Sequence, residues 1–139
     1  MTYDTITEES IQHLVDSFYR KVRADPELGA IFEASIGTTD EAWRPHLEVM
    51  YRFWSSVMLH SGRYRGNPLR KHLELPPFDP ALFDRWLALF EATAAELHQP
   101  QDAAAYIEKS RMIAANLRRM IEGMRAETGD ELRFRSMAR

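Results

Sequence analysis

Apolar residues recur along most of the chain at helical spacing. Ile11, Leu14, Val15, Phe18, Tyr19 and Val22 fall at offsets 0, 3, 4, 7, 8 and 11, which is one face of an amphipathic helix. Thr5 or Thr7 supplies its cap, and Thr5-x-x-Glu8 matches the reciprocal capping pattern. Asp25-Pro26 stops the helix, because a residue before proline is pushed out of the helical region. Residues 28–32 then read as a short segment that leaves Phe32 in a turn. A loop over 36–40 follows, with Thr39 or Asp40 as the next cap. A second stripe, His46, Met50, Phe53, Trp54 and Val57, runs to His60-Ser61-Gly62, where glycine is the expected terminator.

Phe78-Asp79-Pro80 opens a further helix, with Asp79 as cap and Pro80 at the first position. Its core face is Phe83, Trp86, Leu87, Phe90, Ala94 and Leu97, and it stops at His98-Gln99-Pro100. The last helix starts near Asp102 and buries Tyr106, Ile113, Leu117, Met120, Ile121 and Met124 before Thr128-Gly129 closes it. No alternating strand pattern and no internal repeat is present. The expectation is an all-α fold of roughly five to seven helices. It forms a single domain over 1–139, with a helical core from about 5 to 125 and a flexible tail over 126–139.

One long break interrupts the helical pattern. Gly62-Arg63-Tyr64-Arg65-Gly66-Asn67-Pro68-Leu69-Arg70-Lys71-His72 is punctuated as loop by two glycines and a proline. It delivers His72 just before the proline-bounded apolar segment Leu73, Leu75, Pro76, Pro77 and Phe78. An imidazole on such a segment can project into an interior built by other helices. There it can serve as a metal ligand, a general base or a hydrogen-bonded core histidine. Gly62-x-x-x-Gly66 is not a phosphate cradle, since no strand precedes it and no Gly-Lys-Ser/Thr ending follows.

Composition narrows the chemistry. A chain of 139 residues buries roughly 68% of its unfolded surface, so a core needs no staples. The absence of cysteine excludes disulfides, zinc–thiolate sites and iron–sulfur clusters, and fits a reducing compartment. With 18 basic against 21 acidic residues, nothing suggests a nucleic-acid surface. The basic run Arg133 to Arg139 reads as a frayed tail. The start of the chain is polar and no apolar run approaches ~18 residues, so neither a signal peptide nor a membrane partner is expected. The expected location is cytoplasmic.

Of the five histidines, His13 lies between core positions and faces solvent. His60 and His98 stand at helix C-termini, where a partial positive charge suits the dipole. His46 and His72 remain as candidates. His46 shares its expected interior with Tyr19, Phe32, Phe53, Trp54, Trp86 and Phe90, a large area of flat aromatic surface. A zinc or di-iron site lacks its usual carboxylate and cysteine ligands near these histidines. Glu8, Glu9, Glu91 and Glu96 fall on solvated helix faces, with nothing to pair them for acid–base work. A large planar cofactor held by one imidazole uses every group named; two satisfied core histidines are the other reading.

The chain resembles the group III branch of the truncated haemoglobins. Phe18-Tyr19, Ile31-Phe32, His46-Leu47-Glu48-Val49-Met50 and Phe53-Trp54 carry the resemblance. Gly62-Arg63-Tyr64-x-Gly66-Asn67-Pro68-Leu69-x-Lys71-His72 and Phe83-x-x-Trp86 complete it. It runs from about Ile11 to Leu97, and the lack of any Gly-Gly pair fits this branch rather than the other two. The resemblance implies a truncated globin fold, an α-helical sandwich around a haem pocket. It implies haem b (iron protoporphyrin IX) with His72 as the proximal iron ligand. Tyr19, His46 and Trp86 then line the distal side, Phe32 wedges the porphyrin, and Met50 crowds the ligand. Phe53, Trp54 and Lys71 complete the cofactor site, with Lys71, Arg63 or Arg65 as partners for the propionates and solvated loop charge as the alternative.

Under that resemblance the expected function is reversible binding of O₂, NO and CO. The Tyr19 hydroxyl and Trp86 indole N–H are donors suited to a ligand that gains negative charge. Such donors slow release, which suits NO dioxygenation or peroxide handling better than bulk transport. A separate reductase is then needed, because the chain has no flavin or nicotinamide module. A simple oxygen carrier or sensor is an alternative, and a haem-free helical module for protein interaction is the alternative of a different class.

Overall fold

The computed structural model describes residues 2–66 and 78–137, with side chains as far as Gly123. Lys71, His72 and the apolar segment after them as far as Pro77 lie outside the described residues, as does the side chain of Met124. Five helices occur among the described residues. They are α1 (Glu8–Ala24), α2 (Pro26–Ile36), α3 (Asp40–Leu59), α4 (Leu82–Leu97) and α5 (Pro100–Met137).

The whole predicted stripe of α1 is buried, from Ile11 to Val22. Its cap is Thr7, not Thr5. Thr7 has extended backbone, its Oγ1 accepts from the Ser10 N–H at 3.1 Å, and Ser10 Oγ accepts from the Thr7 N–H at 2.8 Å. Serine thereby fills the reciprocal role expected of Glu8, whose carboxylate is engaged elsewhere.

Asp25 serves both neighbouring helices. Its N–H closes α1 on Lys21 and Val22, and its Oδ1 accepts from the N–H groups of Glu27 and Leu28 at 3.0 Å each. With Pro26 at the first position, this starts a helix where the sequence suggested a turn, so Phe32 stands on α2. Gly29 makes the corner tight, since a Cβ there would meet the Arg23 carbonyl oxygen at 2.8 Å. Gly37 ends α2 at φ 117°, a conformation that glycine adopts without strain. Thr39 then caps α3 through the Ala42 N–H at 3.1 Å. Helix α3 ends where expected, with His60 in the left-handed region at φ 55°.

Three bonds of i to i+3 type, from Leu82, Phe83 and Asp84 back to Asp79, Pro80 and Ala81, form a tight turn ahead of α4. Regular helix therefore begins at Leu82, slightly later than Pro80. Helix α5 starts at Pro100 and its backbone continues past Gly123 and Thr128-Gly129 to Met137. Isolated glycines cost a helix only about 1 kcal/mol each, and no proline follows to stop it. Met120 is 47% exposed rather than buried, whereas Leu117 and Ile121 pack with Phe83 and Ala114.

Helix α1 packs against α2, α3 and α4, and α4 packs against α5. The centre of the core is aromatic: Phe18, Trp54, Phe90 and Tyr106 are all but fully buried. Among the described residues no helix is long and apolar enough to cross a membrane.

The chain ahead of α1 crosses the α4–α5 corner. The Tyr3 N–H donates to the Leu97 carbonyl at 2.8 Å, and Tyr3 pairs with His98 in an isolated bridge. His98 does not serve as a charged C-terminal cap. Its ring is 2% exposed, packed between Tyr106 at 4.8 Å and Tyr3 at 5.7 Å, and neither ring nitrogen has a hydrogen-bond partner among the described residues. Burial pushes its pKa below the ordinary histidine value; the Asp102 carboxylate opposes this and His13 adds to it.

A histidine depressed on folding stabilises the native state above its unfolded pKa, and that contribution disappears as pH falls through the folded value. Stability should therefore decline from about pH 6.5 downward. His98→Phe should flatten that part of the profile and leave stability at pH 7 equal or higher, because it removes unsatisfied buried polar groups. Urea denaturation at several pH values measures both; an unchanged slope in the variant would contradict the assignment.

Candidate functional site

A cavity of about 580 Å³ opens between α1, α2, α3, α4 and α5, with the start of the long loop at its rim. Tyr19, Phe32, His46, Met50, Phe53, Trp54 and Trp86 all line it. These seven sequence candidates therefore reach one space, while Arg63 does not line it. Lys71 and His72 lie outside the described residues, but the stretch that contains them is bracketed by Gly66 and Phe78, and both line the cavity.

Two aromatic groups back it, with Tyr19, Phe32, His46, Trp54 and Trp86 lining it and Trp43, Phe18 and Phe90 behind them. On one side the rings of Tyr19, Phe32, Trp43 and His46 contact one another in all pairings. The closest is Tyr19 to His46, with centroids 5.1 Å apart and planes at 88°. On the other, Trp86 stacks on Phe90 at 5.4 Å, and Phe90 stacks in turn on Trp54 at 4.7 Å. Phe18 closes the second group edge-on against both Trp86 and Phe90. Adjacent residues of α1 thus enter the two groups, Phe18 one and Tyr19 the other, and their own rings meet edge-on at 4.9 Å.

Polar groups are few. Burial raises the pKa of the Tyr19 phenol well above the usual tyrosine value, so it is a protonated donor at neutral pH. The Nε2 atom of His46 is buried although the residue as a whole is only half-buried. Arg65 lines the rim. Arg63 does not face the cavity as a free charge: it donates to Glu8 Oε2 at 2.5 Å, and Glu8 Oε1 accepts from Ser55 at 2.5 Å. Glu8 is therefore a structural link between α1, α3 and the loop. Glu91 and Glu96 pair with Arg111 and Lys21.

Sequence reasoning missed two parts of the site. Trp43 stands three residues before His46 on the same face of α3, so helical spacing could have included it, and it is fully buried. Arg85 binds Asp25, tying α4 to the α1–α2 corner. Burial raises the Asp25 pKa, but the N–H groups of Leu28 and Glu27 and the Arg85 guanidinium outweigh it and hold the carboxyl below its usual range. No spacing along the chain reveals that pair.

Comparison with known proteins decides the family. The profile of the family described as "Bacterial-like globin" matches residues 1–120. The chain belongs to the bacterial-like globins. It is 40% identical over 121 residues to the group 3 truncated hemoglobin of Campylobacter jejuni, covering 87% of this chain and 95% of that one. The crystal structure of a group III truncated hemoglobin from the same organism is similar with a TM-score of 0.83 and 41% identity, over 86% of this chain and 94% of that one. The described helices are thus those of a truncated globin, and the resemblance to group III stands.

Membership in the globins carries haem as cofactor and gas binding as general function. The cavity suits such a group. Its volume lies within the roughly 300–1,000 Å³ of cofactor sites, and its aromatic walls offer flat apolar surface with a small polar arc at Tyr19 and His46.

The two indoles of this globin's cavity differ in burial, since Trp54 is 1% exposed in the stack while Trp86 is half-buried at the wall. Trp54→Ala should cost about 3–5 kcal/mol in chemical denaturation, and Trp86→Ala distinctly less. Equal losses would contradict the division between core and wall.

Proposed function

We propose that this globin holds haem b with His72 as iron ligand and binds O₂, NO and CO reversibly on the side lined by Tyr19, His46 and Trp86. The observation that carries this reading is convergence. Seven candidate side chains from α1, α2, α3 and α4 share one cavity, and both ends of the stretch bearing His72 open onto it. Phe32, Met50, Phe53 and Trp54 would hold the ring system by apolar contact, with Lys71 and Arg65 available to its carboxylates. When bound, haem supplies an open coordination position for a diatomic ligand and one-electron chemistry at iron.

The chain's own contribution is polarity at one spot in a dry space. Tyr19 keeps its proton and donates a hydrogen bond to the ligand; the Trp86 indole N–H is a second donor. His46, edge-on to Tyr19, adds a third polar group. Apolar neighbours exclude water, so each donor acts at full strength on a ligand that gains negative charge. Slow release follows, and it favours redox use, NO dioxygenation or peroxide handling, over bulk delivery. Electrons then come from a separate reductase, and a cytoplasmic setting supplies the carriers that such a partner draws on.

His72→Ala should abolish stable haem binding; a variant that purifies with the parental spectrum would contradict the ligand assignment. Tyr19→Phe and Trp86→Phe should each speed O₂ release by roughly tenfold or more, since a hydrogen bond to a charged acceptor contributes about 1.5–3 kcal/mol. Stopped-flow release rates equal to the parent in both variants would remove the donor network. Turnover of NO with a reductant no faster than that of free haem would refute the redox role and leave carriage or sensing.

A further inference from the structure

Behind the cavity lies a second, open groove of about 800 Å³, lined by charged groups such as Asp16, Arg20, Arg23 and Glu48. Tyr19 lines both spaces, and Trp43 stands at the base of the groove. The first half of α3, which carries His46, has few other holds on the protein. Trp43, Trp54 and Ser55 are the buried residues of this helix, and Trp43 alone lies before residue 50. Pro45 lacks the N–H that would bond the Glu41 carbonyl, so the same turn has lost part of its own ladder.

Trp43 itself is fixed from three sides. Its Nε1–H donates to the Gly37 carbonyl at 2.9 Å, which ties α3 to the corner before it. The Arg23 guanidinium lies over its ring at 5.1 Å, a cation–π contact. Arg23 also donates to Asp40 Oδ1 at 2.8 Å and to the Thr38 carbonyl at 3.1 Å, so α1 holds the same corner. The free edge of the indole meets His46 at 5.4 Å and Tyr19 at 5.8 Å.

We infer that Trp43 is a positioning residue that fixes His46 and Tyr19 at the ligand side of the cavity and walls that side off from the charged groove. The inference rests on the gas-binding reading for its consequence, though not for its geometry. Trp43→Phe removes the anchor to Gly37 and keeps an aromatic ring; Trp43→Leu also opens the wall. Arg23→Gln loosens the same anchor from outside the core, and serves if the core variants fail to fold.

The test combines hydrogen exchange across the full chain with the C–O stretching band of the ferrous CO form. Exchange in residues 40–50 should quicken on the order of tenfold while α4 and α5 keep their parental rates. The CO band, which responds to polar groups beside the ligand, should shift and broaden in the same variants. Parental exchange and band positions would overturn the inference. Uniformly faster exchange would overturn it too, by making Trp43 ordinary core, as would local loosening with an unchanged band. If the parent chain takes up no haem, the gas-binding reading fails, and exchange alone still decides whether Trp43 holds this turn.

Discussion

Helix α1 is the surface on which the rest of the molecule is assembled. Three helices pack on it, and its apolar stripe is buried from Ile11 to Val22. Within that stripe, Phe18 and Tyr19 are neighbours in sequence, their rings meet edge-on at 4.9 Å, and each joins a different aromatic group. Phe18 enters the stack of Trp86 and Phe90, and Tyr19 enters the cluster of Phe32, Trp43 and His46. One rigid element therefore joins the two aromatic groups that back the cavity. Burial supplies the driving force, and the helix backbone supplies the spacing.

Polar groups then define the corners that apolar packing leaves loose. Asp25 ends one helix, starts the next and binds Arg85 of α4, so a single carboxylate joins three helices. Glu8 does comparable work at the other end, through Ser55 and Arg63. These links fix where α2 and α3 lie over α1, and with them the positions of Phe32 and His46. Asp25, Glu8, Arg63 and Arg85 are thereby engaged in structure, while Arg52 and Arg65 line the cavity beside its neutral donors.

Much of this was legible in the sequence because helical periodicity reports burial directly. The stripes of α1, α3 and α4 gave the core and the cavity-lining residues together, since the large residues at those spacings are mostly aromatic. Helix α2 was not legible as a helix: its apolar face is short, and what starts it is the Asp25 cap followed by Pro26, which also reads as a stop. Trp43 was missed because the stripe was begun at His46, one turn too late. The end of α5 was placed too early because glycine was given more weight than its modest cost in a helix. His98 was misread because position at a helix terminus says nothing about what covers it, and the cover comes from Tyr3 near the start of the chain and from Tyr106. Long-range pairs such as Asp25 with Arg85 have no local signature at all.

On the proposed reading, the cavity holds a flat cofactor through one imidazole and offers its ligand a small set of donors. The most direct measurement is the visible absorption spectrum of the purified protein supplied with haem, reduced with dithionite and read before and after CO. A Soret band that shifts and sharpens with CO is the predicted result, marking iron with an open or displaceable position in this cavity. A protein that stays colourless after haem is added would contradict the central claim, leaving the same helices and the same aromatic walls with no cofactor between them.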